Sequence, residues 1–257
     1  MPAGYEGWGA YAPFYDWENA RTMGRRDLTF WRHLAAQVAG PVVELGSGTG
    51  RLTVPLHRQG IPIVGVDYTA EMLRRVAPRA RRSRTTRPRI VRADASRLPL
   101  ADEAFRLVMA PYGFLQSLLS DAMLARTIRE AYRVLAPGGL IGVDLVPDVP
   151  KWRQYTRKVV FFSPEGPRGL PITLRETVRQ DREKRLTTFE QEYIEGRGAA
   201  KQVTPFTIRF RTLPLPAVAR RLERAGFEVE AILGDYRGGA WDPRADVWLL
   251  LARKPSR

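Results

Sequence analysis

The segment at positions 42–50, with the sequence VVELGSGTG, contains residue types suited to holding a nucleotide-like ligand. Its apolar start predicts a buried strand, and its glycines predict a turn that leads into a helix. Glycine has no Cβ atom to keep a ligand off the backbone, and the first turn of a helix offers unpaired N–H groups and a positive dipole end. Arg51 stands where the dinucleotide fingerprint G-x-G-x-x-G needs its third glycine, which weakens a nicotinamide or flavin interpretation.

Two aspartates end later apolar runs at positions where they would face this turn. Asp67 closes the run VGVD, about 20 positions after Gly46, and a carboxylate at the end of the adjacent strand can accept both hydroxyls of a ribose. Asp94, in the run RADA, ends the following strand, where it can accept a hydrogen bond from an adenine amine. The two acids and the glycines together predict an adenosine pocket.

The elements that must position these residues alternate along the chain. Short apolar runs are separated by segments compatible with helices, which predicts a parallel sheet in an α/β fold with helices on both faces. Ser120 is the predicted N-cap of a helix over 121–136, and PGG at 137–139 is expected to end that helix before the fifth strand. The strands predicted after the turn are 61–67, 89–95, 105–112, 140–146, 227–236 and 247–254.

The runs ELGSGTG, VGVD, RADA and PGG together resemble the motifs of the class I S-adenosylmethionine-dependent methyltransferases. The resemblance implies a Rossmann-like sheet of seven strands closed by an antiparallel hairpin. It also implies that S-adenosylmethionine is the cofactor and S-adenosylhomocysteine the product. The residues that we match to the family's cofactor site are Glu44, Gly46, Ser47, Gly48, Gly50, Asp67, Tyr68, Asp94, Ala95 and Ala110.

The N-terminal segment is rich in aromatic residues and precedes a predicted amphipathic helix with Asp27 as its N-cap. Its motif Y-x-x-x-Y-D resembles the lid of bacterial small-molecule N-methyltransferases, including those that act on glycine or sarcosine and on amino sugars. In those relatives a lid tyrosine reaches the cofactor or acceptor, so the resemblance makes Tyr11 and Tyr15 candidate catalytic residues. Arg25 or Arg26 is a candidate partner for the methionine carboxylate through two N–H groups. The alternative is a hydrophobic strap that closes one side of the core.

From position 157 to 212 the pattern changes to an alternation with a period of two, which predicts antiparallel strands at 159–163, 172–181, 186–195 and 203–211. An insertion after the fifth core strand lies over the carboxyl ends of the sheet, where α/β folds bind ligands. It is expected to be a lid, a homodimer surface or both. The candidate substrate contacts are Tyr112, Phe114, Tyr193 and Arg209, with Trp241 as a further candidate.

A chain of 257 residues with 44% apolar residues can build one α/β domain with an elaboration. No run of about 18 apolar residues is present and the start lacks the features of a signal peptide, so we expect a cytoplasmic protein. The predicted parts are an N-terminal aromatic lid with the first helix (1–39), a cofactor-binding α/β core (40–150), the antiparallel β insertion (151–212) and a C-terminal helix with the closing hairpin (213–257).

The chain contains no cysteine, which excludes iron–sulfur ligation, thiolate zinc sites and a cysteine nucleophile. No metal site is predicted. Histidine occurs only at His33 and His57, both on predicted helices, and we interpret both as solvated or packed side chains rather than catalytic ones.

The net charge is +15, and the segment 74–89 holds eight arginines that could grip nucleic-acid phosphates. Arginine greatly outnumbers lysine throughout the chain. This excess favours the interpretation that codon preference placed these arginines on a solvated helix and loop. No aromatic residue interrupts the segment, whereas binders of single-stranded nucleic acid stack bases on aromatic rings. Nucleic-acid contact is therefore kept as the less favoured interpretation.

Methyl transfer from a sulfonium mainly requires alignment of acceptor, methyl and sulfur and the exclusion of water. An amine needs no dedicated base, because burial favours its uncharged form, whereas a hydroxyl needs a proton acceptor that is commonly histidine. The sequence therefore favours in-line transfer to a small-molecule amine beneath a lid built from residues 1–26 and 151–212. A carboxylate acceptor and a hydroxyl acceptor assisted by a tyrosine stay open. The alternatives are an rRNA or tRNA methyltransferase that uses the arginine-rich face and a cofactor-binding module without turnover.

Overall fold

The computed structural model describes residues 6–22, 26–80, 87–147 and 154–256. The helices in chain order are α1 (Trp8–Thr22), α2 (Leu28–Gln37), α3 (Thr53–Arg58), α4 (Ala70–Leu73), α5 (Val76–Ala80), α6 (Phe114–Ser117), α7 (Asp121–Val134) and α8 (Leu215–Arg224). The strands are β1 (Val42–Leu45), β2 (Ile63–Asp67), β3 (Arg89–Arg92), β4 (Phe105–Ala110), β5 (Leu135–Leu145), β6 (Tyr155–Ser163), β7 (Ile172–Asp181), β8 (Leu186–Glu195), β9 (Gln202–Arg211), β10 (Glu228–Leu233) and β11 (Trp248–Arg253).

The main sheet has seven strands in the order β10-β11-β5-β4-β1-β2-β3. Strands β1 to β5 pair in parallel, and β11 is antiparallel to both of its neighbours. The chain moves outward from β1 to β3 and then crosses back to β4 on the other side of β1. A crevice forms at such a reversal, outside the carboxyl ends of the strands. The predicted α/β class, with seven strands and a closing antiparallel pair, is confirmed.

Alternate residues of the central strands pack on opposite faces of this sheet, because successive side chains of a strand point to opposite sides. Val43 and Val108 belong to a core shared with α7 and α8. Val42 and Leu107 belong to a second core shared with α2 and α3, in which Trp31 is fully buried. Helices therefore cover both faces, which explains why these strands are apolar throughout.

The remaining four strands form a separate antiparallel sheet in the order β6-β7-β8-β9. This second sheet packs against α1 through an aromatic cluster in which the rings of Phe14 and Tyr193 stack with centroids 4.0 Å apart. Such a pair contributes about 0.5–1.5 kcal/mol beyond the area it buries. Strand β6 is an edge strand that exposes Val159 and Phe162, and a homodimer through this sheet stays a prediction.

The N-terminal aromatic segment forms a helix, which the sequence analysis did not predict. Helix α1 runs from Trp8 even though Pro13 lies inside it, where proline removes one backbone hydrogen bond. Packing of α1 against α4 and β9 supports the helix despite that loss. Asp27 occupies the predicted N-cap position of α2, but its side chain makes no capping hydrogen bond. Its carboxylate instead accepts hydrogen bonds from Arg51.

The boundary between α7 and β5 differs from the prediction, whereas the start of α7 agrees with it. The Ser120 hydroxyl caps α7 as predicted, accepting a hydrogen bond from the backbone three residues later at 3.1 Å. Helix α7 ends at Val134, however, and β5 already begins at Leu135, so that residues 137–139 lie within the strand. The reason is a pairing of Leu135 with Phe105 of β4, which starts the ladder before the glycines.

The arginine-rich segment 74–89 is only partly described, since residues 81–86 lie outside the described ranges, as does Arg25. Within the described part, Arg79 forms an ion pair with Asp16 of α1. No helix in the described ranges has the length and apolar character needed to cross a bilayer.

Candidate active site

A cavity opens at the carboxyl ends of β1, β2, β3 and β4. Its walls come from the turns that follow these strands, which contribute residues within 46–48, 67–69, 93–95 and 111–114, together with residues of α1 and β9. It contains about 970 Å³ of empty space including its mouth, which lies within the range of small-molecule sites. The glycine turn and the predicted rim acids therefore meet in one place.

The glycine turn has a backbone that only glycine adopts without strain. Gly46 has φ +67° and Gly48 has φ +55°, in the left-handed region. A Cβ atom on Gly46 would lie 2.3 Å from a ring carbon of Phe114, so a side chain there would also displace that ring. The turn is held to β2 by a hydrogen bond from Ser47 N to the carbonyl oxygen of Val66 at 2.9 Å.

The two rim aspartates are fixed by backbone donors. Asp67 accepts hydrogen bonds from Gly48 N at 2.8 Å and from Thr69 N at 2.7 Å, one on each carboxylate oxygen. Burial raises the pKa of Asp67, and the two backbone bonds partly offset that rise. Asp94 accepts from Ser96 N at 2.8 Å. Each bonded oxygen keeps a second lone pair, so both carboxylates can accept further donors from a ligand.

Glu44 lies at the floor of the cavity and is only 2% exposed. Its carboxylate accepts a hydrogen bond from the Thr53 hydroxyl, and burial raises its pKa to about 7. A ligand cation at this position would stabilise the ionised form.

Arg51 is the cation of the cavity wall. Its guanidinium donates two hydrogen bonds of 2.7 Å to Asp27, whose side chain is fully buried. It also lies over the ring of Tyr112, 5.4 Å from the centroid. Beside it, burial raises the pKa of Tyr15 to about 12, although Arg51 acts in the opposite direction. Tyr15 is therefore a hydrogen-bond donor rather than a base at neutral pH.

A second cavity lies between the segment after β4 and the inner face of the second sheet, and it contains about 1180 Å³ of empty space including its mouth. It shares Trp8, Tyr112 and Phe210 with the first cavity, so the two cavities are adjacent at these three rings. Glu18 of α1 and Glu176 of β7 also line it. A ligand here would be adjacent to a ligand in the first cavity.

Glu18 organises the tyrosines of the second cavity. Tyr11 donates its hydroxyl hydrogen to Glu18 at 2.6 Å, and the buried Tyr193 donates to the same carboxylate oxygen. Burial raises the pKa of Glu18, and the two hydroxyl donors partly offset that rise. Both tyrosine protons are thus held by the carboxylate.

Helix α1 is attached directly to the glycine turn. Asp16 accepts a hydrogen bond from the Thr49 hydroxyl at 2.5 Å and a second one from Arg79 of α5. The helix that covers the second cavity therefore contacts the loop that forms the first.

Comparison with known proteins agrees with this geometry. The family model for a methyltransferase domain matches residues 42–139, which contain the glycine turn and both rim aspartates. The demethylmenaquinone methyltransferase of Thermus thermophilus is 35% identical over 164 residues, which span 59% of this chain and 72% of that protein. This chain belongs to the S-adenosylmethionine-dependent methyltransferases.

Solved structures share the fold of this methyltransferase. An S-adenosylmethionine-dependent methyltransferase from Clostridium acetobutylicum superposes with a TM-score of 0.79 at 13% identity, covering 94% of this chain and 98% of that one. A sugar N-methyltransferase from Streptoalloteichus gives a TM-score of 0.73 at 18% identity, covering 95% of this chain and 93% of that one. At these identities the likeness concerns the fold alone.

The first cavity of the methyltransferase fits the chemistry of S-adenosylmethionine. Its aspartate carboxylates can accept hydrogen bonds from the hydroxyl and amine groups of the ligand, and Arg51 is a cation that can pair with the ligand's carboxylate. Tyr68 lines this cavity and is 41% exposed. The predicted cofactor residues found in its wall are Glu44, Gly46, Ser47, Gly48, Asp67, Tyr68, Asp94 and Ala95.

Three predicted cofactor residues lie outside that wall. A Cβ atom on Gly50 would meet Val54 at 2.9 Å, so this glycine serves helix packing. Ala110 is fully buried in β4, and Arg26 is exposed before α2. The arginine of this cavity is Arg51, which occupies the position of the third glycine in the dinucleotide fingerprint.

The aromatic candidates divide between the two cavities. Tyr15 and Phe114 line the first, Tyr11 lines the second, and Tyr112 lines both. Tyr193 is fully buried behind the second cavity, where it holds Glu18.

Other candidates lie away from both cavities. Arg209 is on the face of β9 opposite to the cavity-lining Phe210, paired in register with a threonine of β8. Trp241 packs on a neighbouring tryptophan with centroids 6.3 Å apart. His33 is exposed on α2 and His57 lies in the last turn of α3. No cluster of three potential metal ligands occurs in the described part of the chain.

The second cavity is also lined by residues that no sequence motif marks, namely Trp8, Glu18, Glu176 and Phe210. Glu18 follows Tyr11 by seven positions, which places both on one face of a helix. That signal becomes visible only once the N-terminal segment is assigned as helical.

Proposed function

We propose that this methyltransferase transfers a methyl group from S-adenosylmethionine to an amine nitrogen of a small molecule. The observation that carries the proposal is the pair of adjacent cavities that share the rings of Trp8, Tyr112 and Phe210. The second cavity lies under α1 and the second sheet, an enclosure that suits a small acceptor better than a nucleic-acid strand. The same fold serves a sugar N-methyltransferase, so it is compatible with an acceptor of this class.

For the cofactor, we propose that Asp67 accepts the ribose hydroxyls and that Asp94 accepts from the adenine amine, since both carboxylates line the first cavity with oxygens fixed by backbone donors. Arg51 would pair with the methionine carboxylate, and Glu44 would receive the methionine ammonium at the cavity floor.

The cofactor supplies a methyl group on a positively charged sulfur, which is already electrophilic. The residues of the chain must then hold the acceptor nitrogen in line with that methyl and exclude water. Trp8, Tyr112 and Phe210 serve both needs, because their rings border both cavities and make the surroundings of the reacting groups apolar. Tyr15, which is protonated at neutral pH, acts by donating a hydrogen bond near the reacting groups.

A nitrogen acceptor is favoured over an oxygen acceptor because neither His33 nor His57 lines either cavity, and hydroxyl acceptors commonly need such a base. The 35% sequence identity to a demethylmenaquinone methyltransferase supports a second candidate, the methylation of demethylmenaquinone.

Labelled S-adenosylmethionine incubated with a panel of primary amines, demethylmenaquinol and short RNAs tests the proposal. We expect label on the amines. Asp67→Ala should lose transfer, whereas the half-exposed control Asp242→Ala, which lines neither cavity, should keep it. Label confined to RNA or to the quinol would refute the amine proposal, and an absence of any transfer despite S-adenosylhomocysteine binding would indicate a cofactor-binding module.

A further inference from the structure

The inner face of the second sheet forms an apolar wall of the second cavity. All four strands contribute to it, with Val160 from β6, Leu174 from β7, Phe189 from β8 and Ile208 from β9. Neighbouring strands of a sheet lie about 4.8 Å apart, so this wall extends over about 14 Å from one edge of the sheet to the other. A ligand body of that length can lie across the sheet against apolar surface.

The other lining residues extend the apolar surface to the neighbouring cavity. Helix α1 contributes the ring of Trp8, the segment after β4 contributes Tyr112, and the segment after β5 contributes Val146 and Pro147. Trp8 and Tyr112 also line the first cavity. The apolar space therefore begins beside the proposed cofactor site and continues under the second sheet.

The charged and amide side chains of the second cavity are engaged by other residues of the protein. Among the described lining residues, Glu18 accepts from Tyr11 and Tyr193, Glu176 accepts from Tyr155 and Gln191, Gln116 bonds both backbone groups of Val146, and Arg211 binds Asp121. The amide oxygen of Gln191 makes no hydrogen bond within the described ranges, but it is completely buried and presents no surface to the cavity. A hydroxyl group of a ligand would have to share or displace one of these bonds, or else lose its hydrogen bonds to water without replacement.

We propose that the second cavity holds the acceptor through an extended apolar body, aromatic or alkyl, and that the group to be methylated lies at the end of this body nearest Trp8 and Tyr112. The inference rests on the proposed function, because it takes the second cavity as the acceptor site, and it narrows the substrate class. Each methylene buried against the wall should strengthen binding by about 4-fold. Acceptors that carry many hydroxyl groups are disfavoured.

A series of primary amines tests the apolar body on the intact protein. Propylamine, pentylamine and heptylamine are compared by calorimetry on enzyme saturated with S-adenosylhomocysteine and by label transfer. Because every member carries the same ammonium group, only the apolar area changes along the series. We expect the affinity and kcat/KM to rise by about 4-fold per methylene.

A second comparison tests the exclusion of hydroxyl groups at constant ring size. Cyclohexylamine is compared with an aminocyclitol that carries hydroxyl groups on the same ring. The unsubstituted ring should bind at least about 10-fold more tightly, because the hydroxyl groups lose water without gaining free partners.

The outcomes separate this inference from the proposed function. Label transfer to amines with no dependence on chain length, or tighter binding of the hydroxylated ring, would refute the apolar body and leave the amine acceptor standing. Affinity that rises with chain length without label transfer to any amine would support the apolar body and refute the amine acceptor. Binding of S-adenosylhomocysteine without binding of any amine would refute the inference.

Two adjacent valines of β6 provide a matched pair of variants. Val160 lines the cavity and is 45% exposed, whereas Val159 is 56% exposed, pairs in register with Arg175 and lines neither of the two cavities. Val160→Asn places an amide beside the apolar body and should raise KM for heptylamine by about 5-fold or more. The same change should affect propylamine less, because the shorter chain does not reach β6.

Val159→Asn is the control and should leave both KM values unchanged. Affinity for S-adenosylhomocysteine reports on folding and should stay the same in both variants. Equal KM values for heptylamine in Val160→Asn and Val159→Asn would refute the placement of the apolar body against this sheet.

Discussion

Replacing Arg51 by methionine is expected to destabilise the protein strongly, because the change removes the two-bond partner of a buried carboxylate. Asp27 has no exposed side-chain area, and only 12% of the Arg51 side chain is exposed. Removing one member of a buried ion pair leaves the other charge without compensation and costs about 3–5 kcal/mol. Against a total stability of about 5–15 kcal/mol, this is a large fraction. Urea unfolding followed by tryptophan fluorescence measures it.

A double-mutant cycle separates the interaction free energy of the Asp27–Arg51 pair from the effect of changing each side chain alone. Asp27→Asn combined with Arg51→Met should be more stable than the sum of the single losses predicts, by about 0.5–3 kcal/mol, because neither charge is then left alone. Calorimetry should also give a roughly 10-fold or greater loss of S-adenosylhomocysteine affinity in Arg51→Met, as expected for a charge-assisted bond to the ligand carboxylate. Arg97→Met is the exposed control. A loss in Arg51→Met no larger than in this control would refute the reasoning.

Three further predictions concern the first cavity. Asp67→Ala should weaken S-adenosylhomocysteine binding by about 1–3 kcal/mol in calorimetry, which is the cost of leaving buried donors unpaired. An equal loss of affinity in Asp242→Ala would contradict this prediction. Gly46→Ala should abolish cofactor binding because the new Cβ atom would lie 2.3 Å from an aromatic ring carbon. Gly60→Ala is the control: its φ is also positive, at +83°, but no atom lies within 4 Å of the new Cβ, so it should cause only backbone strain. Burial raises the pKa of Glu44 from 4.5 to about 7. Between these two pH values the folded protein therefore binds more protons than the unfolded chain. The free energy of unfolding should fall as pH rises from 4.5 to 7, by up to about 3 kcal/mol. Glu44→Gln should remove this dependence in urea titrations, and an unaltered slope would exclude Glu44 as its source.

The parts of the fold that the sequence predicted are those encoded locally. The segment 42–50 combines an apolar strand with left-handed glycines, and Asp67 ends the next strand, so two short motifs specify the turn and its partner acid. Strands β7 and β8 were predicted with their observed bounds because a period of two continues without interruption over ten residues in each.

The parts that it did not predict depend on contacts between distant residues. Helix α1 contains Pro13 and has no clear helical periodicity, and it is supported by the second sheet rather than by its own propensity. Asp27 precedes a helix in the usual capping position, yet a cation 24 positions away competes for its carboxylate. Glu18 gains its significance from Tyr193, which is 175 positions away along the chain.

The attachment of Asp16 to Thr49 and Arg79 has a kinetic consequence. Because Asp16 links helix α1, which covers the second cavity, to the glycine turn of the first cavity, we expect that filling one cavity alters the energy of ordering the other, typically by about 1–3 kcal/mol. We therefore expect compulsory-order kinetics in which the nucleoside ligand enters first and leaves last. Asp16→Ala should convert this sequence of events into random addition, visible as a change in the product-inhibition pattern while the separate ligand affinities change little.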